Sequence, residues 1–269
     1  MLHQGKKAEH NINKSRGGFI MVRNLNNVRV CILLPATINV RGVAFLKRSD
    51  PKIRENDYIS ALGKWIQETN YPIVFCENSN SDLKRIKEAI EQYINREIEF
   101  LQFDGNNYPR DLGKGYGMLL TIRYALQNSI LIKNSDYVVV VTGRYFVKNI
   151  QKIVMLLSKN EDIYVTADLK RNLTWADARI FAFKPSFVLV YLSPFQDLIN
   201  DSKGFYLEHA LARAALQAII DGHIWMPLPS KPFIVGYSGT SNTPYNTTRL
   251  RWLGGEIIHR VKNYLIERY

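Results

Sequence analysis

The stretch Asn134–Phe146, NSDYVVVVTGRYF, decides how the rest of the chain is read. Tyr137 to Val141 run without a polar break, and four of the five are β-branched. A strand with one wet face shows a polar residue at every second position; an unbroken apolar run marks a strand buried on both faces. Such strands belong to parallel sheets covered by helices, and ligands bind beyond their carboxyl ends. This run ends at Thr142-Gly143-Arg144-Tyr145, so a permanent positive charge stands where a ligand would arrive.

The elements before this strand repeat its logic. VRVCILLPA (28–36), YPIVFCENS (71–79) and IEFLQFD (98–104) read as three more strands, the first two of them buried. Between them lie ISALGKWIQET (59–69), with apolar residues at helical spacing, and SDLKRIKEAIEQYINR, an amphipathic helix with Ser81 as its expected N-cap. The glycine-started GKGYGMLLTIRYALQNS completes a β-α-β-α-β-α-β order. That alternation predicts a Rossmann-type, mostly parallel α/β sheet flanked by helices, with right-handed crossovers. The second half is more mixed. NIQKIVMLLSK and FYLEHALARAALQAIIDG (205–222) read as helices, the latter ended by its glycine. DIYVTAD reads as a strand, ARIFAFKPSFVLVYL as strands or a helix–strand mix, and SFVLVYL within it has strand length.

Composition bounds the rest. The chain has 269 residues and a net charge of +12 from 36 basic and 24 acidic side chains. That balance favours an anionic partner: nucleic acid, a membrane surface or a phosphorylated substrate. The basic residues are spread, and no RNA-binding or zinc pattern stands among them, so nucleic acid is not expected. Residues 1–26 are polar and basic without an apolar signal core, and read as a flexible basic leader, with Met21 as an alternative start to Met1. Cys31 and Cys76 read as reduced core thiols of a cytoplasmic protein. No run is long enough to span a membrane.

Each strand of the first half ends in small or polar residues: Pro35-Ala36-Thr37, Glu77-Asn78-Ser79, Asp104-Gly105-Asn106 and Thr142-Gly143-Arg144. Together they can hold one nucleotide. Glu77 and Asn78 offer acceptors and donors for a base or ribose, Lys114 and Gly115 at a helix start suit a phosphate, and Arg144 can fork onto a diphosphate. GKGYG has neither the P-loop nor the dinucleotide-binding spacing. Helix–strand packing is the commoner reason for such glycines, and Arg144 by itself could be a surface residue or an ion-pair partner.

With LLPAT, VFCENSNSD and LGKGYGMLLTIRYAL in this order, the sequence resembles the GT-A superfamily of nucleotide-sugar glycosyltransferases, and TGRYF in that frame resembles enzymes of bacterial surface-polysaccharide and lipopolysaccharide synthesis. The resemblance covers residues 28–150 well and the rest loosely. It implies a single domain over 27–269, with a nucleotide-binding half (27–150) and an acceptor half (151–269). It implies a hexosyltransferase-like activity that moves a sugar from a nucleotide-sugar donor to a glycan or lipid-linked acceptor. Members normally hold a divalent metal with an Asp-x-Asp motif where this chain has Thr142-Gly143-Arg144. A guanidinium can neutralise a leaving diphosphate directly, so no metal and no cofactor is expected, although Asp168 stands as a stray acid.

The resemblance also implies a catalytic acid at the start of a helix in the acceptor half. Glu208 fits that place, with His209 where a partner acid would stand; Asp177 is the rival base, and helix capping is the plain alternative for Glu208. Tyr206, with Trp175 and Trp225, can stack on sugar faces or serve the core. Ser238 and Thr240, in GYSGTSNTPY, can bind phosphate or sugar or simply form a turn. The last helix carries Trp252, Leu253, Ile257, Ile258, Val261 and Leu265 among arginines and lysines. It reads as core-docking, or as a peripheral contact with the inner face of the plasma membrane. A sugar nucleotidylyltransferase is the rival activity; it calls for a glycine-rich loop after the first strand, where this chain has only Arg41 and Gly42.

Overall fold

In the computed structural model the described residues are 28–41, 46–93, 95–245 and 248–266. The leader over 1–26, both candidate starts and Gly42 lie outside them. The strands are β1 (Val30–Ala36), β2 (Ile73–Glu77), β3 (Ile98–Gln102), β4 (Tyr137–Val141), β5 (Tyr145–Val147), β6 (Ile163–Thr166), β7 (Leu169–Lys170), β8 (Trp175–Ala176), β9 (Ile180–Phe183), β10 (Ile224–Met226) and β11 (Ile234–Gly236). The α-helices are α1 (Pro51–Glu68), α2 (Lys84–Ile90), α3 (Gly113–Asn128), α4 (Ile130–Lys133), α5 (Ile150–Lys159), α6 (Leu207–Ile220) and α7 (Arg249–Ile266).

Seven strands form one sheet in the order β10-β6-β9-β4-β1-β2-β3, so both halves of the chain share it. All run parallel except β9, which is antiparallel to β4 and β6. The reason is the connection. A parallel return needs a long crossover, and between β6 and β9 the chain makes only the short β7–β8 hairpin. The fold is thus the mostly parallel α/β sheet that the alternation predicts.

The unbroken apolar runs are explained by two cores. Cys31, Leu33, Val138 and Val140 face α3 and α6; Ile32, Leu34, Val139 and Val141 face α1 and α5. Each fully buried valine of β4 contributes about 1.5–3 kcal/mol. The two cysteines are free and buried.

Two local expectations are corrected and one is resolved. Ser81 caps nothing: its N–H donates to Glu77 and its hydroxyl meets Ser79, while α2 starts only at Lys84 and ends at Ile90. Of the two readings of ARIFAFKPSFVLVYL the helix–strand mix holds: Ile180–Phe183 is β9, and SFVLVYL is not a strand. Its Val188–Leu192 turn is a π-helix, and Leu189 and Val190 are exposed. The core-docking reading of α7 also fails, because Leu253, Ile257, Ile258, Val261 and Leu265 point to solvent. The helix docks instead by Trp252, stacked on Phe233 at 5.3 Å, and by the buried Glu256, which accepts from the Lys231 N–H at 2.7 Å.

Candidate active site

The carboxyl ends of β1 and β4 are pulled together. The Gly143 N–H donates to the Pro35 carbonyl at 3.0 Å, and a Cβ on Gly143 would stand 2.5 Å from that oxygen. Above this junction opens a cavity of about 220 Å³, walled by the ends of β1 and β4, the first turns of α3 and α6, and the loop after β11. Pro35, Thr37, Lys114, Gly115, Thr142, Arg144, Glu208, Ser238 and Thr240 all line it, so the structure brings together residues from five separate segments.

The other expected residues stand outside this wall, for definite reasons. Ala36 is sealed within β1. Glu77 is fully buried, and its carboxylate accepts from the Ile38 N–H at 2.9 Å, the Ser79 N–H at 3.0 Å and the Ser81 N–H at 3.1 Å. It braces the loop after β1 rather than facing a base or ribose. Asn78 does similar work, accepting from Thr37 Oγ1 at 2.6 Å and donating to the Gly117 carbonyl at 3.2 Å. His209 Nδ1 accepts the Tyr206 N–H at 3.1 Å, closing the first turn of α6, and burial keeps its pKa below the usual histidine value. Tyr206 and Trp175 pack on one another at 5.8 Å, and Trp225 donates to the Ala167 carbonyl at 3.0 Å. Gly143 itself is buried beneath the cavity.

Positive charge dominates the wall. Arg54, from α1, is only 3% exposed yet lines the cavity. Its guanidinium donates to the Thr37 carbonyl at 2.7 Å, the Arg48 carbonyl at 3.1 Å and Tyr58 Oη at 2.9 Å. Burial pushes its pKa down, and the nearby charge of Arg144 pushes the same way. Arg144 donates Nε to the Tyr237 carbonyl at 3.1 Å. Neither arginine has a carboxylate within ion-pairing distance among the described residues. Burial works against the charge of both arginines, but at Arg144 the neighbouring Tyr145 and Tyr58 outweigh it and raise the pKa, so Arg144 stays a firm cation with which an anion can pair. Lys114 adds a third charge, its Nζ donating to Thr240 Oγ1 at 2.7 Å.

The same cavity carries acid, close to Lys114. Glu208 lies in the first turn of α6, and burial raises its pKa above the ordinary carboxylate value. Asp201, missed in the sequence, is buried beside it with a raised pKa of the same origin. Its Oδ2 accepts the Lys114 N–H at 3.2 Å, while its Oδ1 has no partner. Asn106 Oδ1, also on the cavity wall, is likewise without one. Asp177 contrasts with Glu208. It lies outside this cavity, and although burial opposes ionisation, Arg179 and Lys170 hold its carboxylate well below the usual range. The Arg179 contact is bidentate at 2.8 and 2.6 Å, and the Lys170 contact is 2.9 Å. A carboxylate held that firmly is a poor proton acceptor. Asp168 accepts from the Leu228 N–H at 3.2 Å and lies outside this cavity, on the wall of a neighbouring one. Among the described residues no group of three or more His, Cys, Asp or Glu side chains is placed to hold a metal ion. The acids on the cavity wall, Asp201 and Glu208, share it with four cations, Arg54, Lys114, Arg144 and Arg179.

A second cavity, of about 750 Å³, adjoins the first: Arg179 and Tyr245 line both. Lys170, Arg171, Lys231 and Lys262 make it basic as well.

Arg54 and Asp201 are the residues that reading the sequence did not reach. The signal for Arg54 was its i,i+4 spacing from Tyr58 on the buried face of α1, where a surface arginine has no reason to be. Asp201 sits in a short 3₁₀ turn and carried no periodic signal.

No protein-family model matches the chain, and no curated protein matches it in sequence. Among solved structures, it is similar to core-mannan synthase A from Aspergillus fumigatus in its Mn/GDP form, at 11% identity and a TM-score of 0.46 over 96% of this chain and 89% of that one. It is similar to the mannosyltransferase Ktr4p from S. cerevisiae at 13% identity and a TM-score of 0.41, over 70% of this chain and 66% of that one. A cytidylyltransferase from Leptospira borgpetersenii is similar at 15% identity and a TM-score of 0.41, over 76% and 77%. Likeness at this level says nothing of activity.

Proposed function

We propose that the chain is a glycosyltransferase that uses a nucleoside-diphosphate sugar. The observation that carries this reading is the presence, around one cavity, of Arg54 and Arg144, with no carboxylate at ion-pairing distance among the described residues, and of Glu208, whose pKa burial raises. Arg144, with Arg54 and Lys114, receives the diphosphate. The sugar lies toward Glu208. The Glu208 carboxylate takes the proton of an acceptor hydroxyl, the acceptor oxygen bonds to the anomeric carbon, and the bond from that carbon to the diphosphate oxygen breaks. The electron pair leaves with the nucleoside diphosphate, whose growing charge the guanidinium groups stabilise in a water-poor site. This scheme assigns the charge stabilisation to the arginines and calls on no metal.

The acceptor approaches through the second, basic cavity, which suits a glycan or lipid-linked acceptor bearing acidic groups. Cell-surface polysaccharide synthesis is the process such a reaction would serve. The test is a panel of nucleoside diphosphates and their sugars, scored by thermal shift and by nucleoside-diphosphate release. Stabilisation by a nucleoside diphosphate with release of the same product supports the reading. Release of pyrophosphate from a nucleoside triphosphate and a sugar phosphate would assign a nucleotidylyltransferase instead.

A further inference from the structure

Helix α7 is built the wrong way round for a core helix. At 100° per residue, Trp252, Glu256, His259 and Asn263 share the face turned to the protein. These contacts are polar: Asn263 Nδ2 donates to the Leu228 carbonyl at 2.7 Å, and Arg260 Nε and Lys152 Nζ reach Glu256 at 2.8 and 3.4 Å. The opposite arc holds Leu250, Leu253, Ile257, Val261 and Tyr264, widened by Ile258 and Leu265. Leu250 is 82% exposed and Ile257 65% exposed, values of side chains that the described residues leave uncovered.

The borders of this arc are cationic. Arg249 and Arg260 lie along one edge, Arg251 and Lys262 along the other, and all four are exposed. The only acid in the 18-residue helix is Glu256, which is 4% exposed on the docked face. An apolar stripe between two rows of cations fits the interface of an anionic bilayer: the apolar side chains enter the acyl boundary and the guanidinium and ammonium groups stay at the headgroup phosphates. A second copy of the chain would meet these same rows of positive charge with like charge, which disfavours it as the occupant. No helix among the described residues is long and apolar enough to cross a membrane, so the contact is one of lying on the surface.

We infer that α7 is a membrane-docking helix that binds anionic phospholipid through Leu250, Leu253, Ile257, Val261 and Tyr264 and their flanking cations. The inference is independent of the reaction assigned to the cleft. It does give the helix a position of consequence, because α7 also walls the second cavity through Trp252, Ile258, Lys262 and Leu265. A chain lying on α7 would hold that cavity beside the lipid surface.

The test is co-sedimentation of the full chain with vesicles of phosphatidylcholine, with and without phosphatidylglycerol. The expected result is binding to the anionic vesicles that weakens with added salt and is poor on phosphatidylcholine alone. Ile257→Asn combined with Val261→Asn should lower partitioning by about tenfold or more. Arg251→Gln combined with Lys262→Gln should lower it by roughly fivefold for each cation removed. Thermal unfolding of both variants should match the parent, since all four side chains are exposed. Absence of binding to anionic vesicles, or equal binding by the Ile257/Val261 variant, would overturn the inference. A dimer in solution that this variant dissociates, without vesicle binding, would assign the face to a second copy instead.

Discussion

The backbone N–H of Gly143 donates to the carbonyl of Pro35 at 3.0 Å, locking the end of β4 to the end of β1 beneath the cavity. A Cβ at position 143 would stand 2.5 Å from that oxygen and 3.2 Å from the ring of Tyr58. Gly143→Ala is therefore expected to force the two strand ends apart, costing about 1–3 kcal/mol in a urea titration. Nucleotide-induced thermal stabilisation should shrink with it. An alanine variant as stable as the parent would mean that this junction yields more freely than its geometry implies.

Glu208→Gln should lower transfer by on the order of 10²–10⁴-fold while donor binding persists. The parent should show a rate that rises with pH through a value above the ordinary carboxylate pKa, since burial raises the Glu208 pKa and only the ionised form accepts a proton. The stability linkage has the opposite trend. The folded state holds this proton more tightly than the unfolded state, so the group's contribution is complete below the ordinary pKa and is lost as pH rises through the raised one. The glutamine variant should be as stable as the parent, or more so, at neutral pH. A pH-independent rate, or a variant with full turnover, would remove Glu208 from the role of base.

Asp177→Asn separates a structural carboxylate from a catalytic one. Its folded pKa is depressed by Arg179 and Lys170, so its contribution is present above the ordinary value and lost as pH falls through and below it. The variant should lose about 1–3 kcal/mol at neutral pH and lack part of the parent's acid sensitivity. Its turnover should survive. Denaturation curves at neutral and acid pH, set beside a transfer assay, check both halves.

Strands β1, β2 and β4 were legible because burial on both faces leaves an apolar run that needs no partner information, whereas β3, at the sheet edge, is only half-buried. The direction of β9 was not, because it follows from the absence of a crossover between β6 and β9 rather than from anything within Ile180–Phe183. Strand ends located the cavity through Pro35, Thr37, Thr142 and Arg144, yet could not tell which polar side chains face outward. Glu77 and Asn78 have the composition of ligand groups and are consumed in tying loops together. In α7 the residue pattern was read correctly as two-sided, but polarity alone does not say which side meets the protein. The buried Glu256 and the stacked Trp252 settle that, and both depend on residues far away in sequence.

The central claim is that arginine, without a metal, receives the diphosphate at the end of β4, and titration calorimetry with nucleoside diphosphates in the presence of EDTA tests it most directly. At least one nucleoside diphosphate should bind the parent. Arg144→Ala should lose about tenfold or more in affinity, and Arg144→Lys should recover part of it, because its ammonium cannot make the planar two-point contact. Binding that requires Mg²⁺ or Mn²⁺ and is unchanged by Arg144→Ala would contradict it.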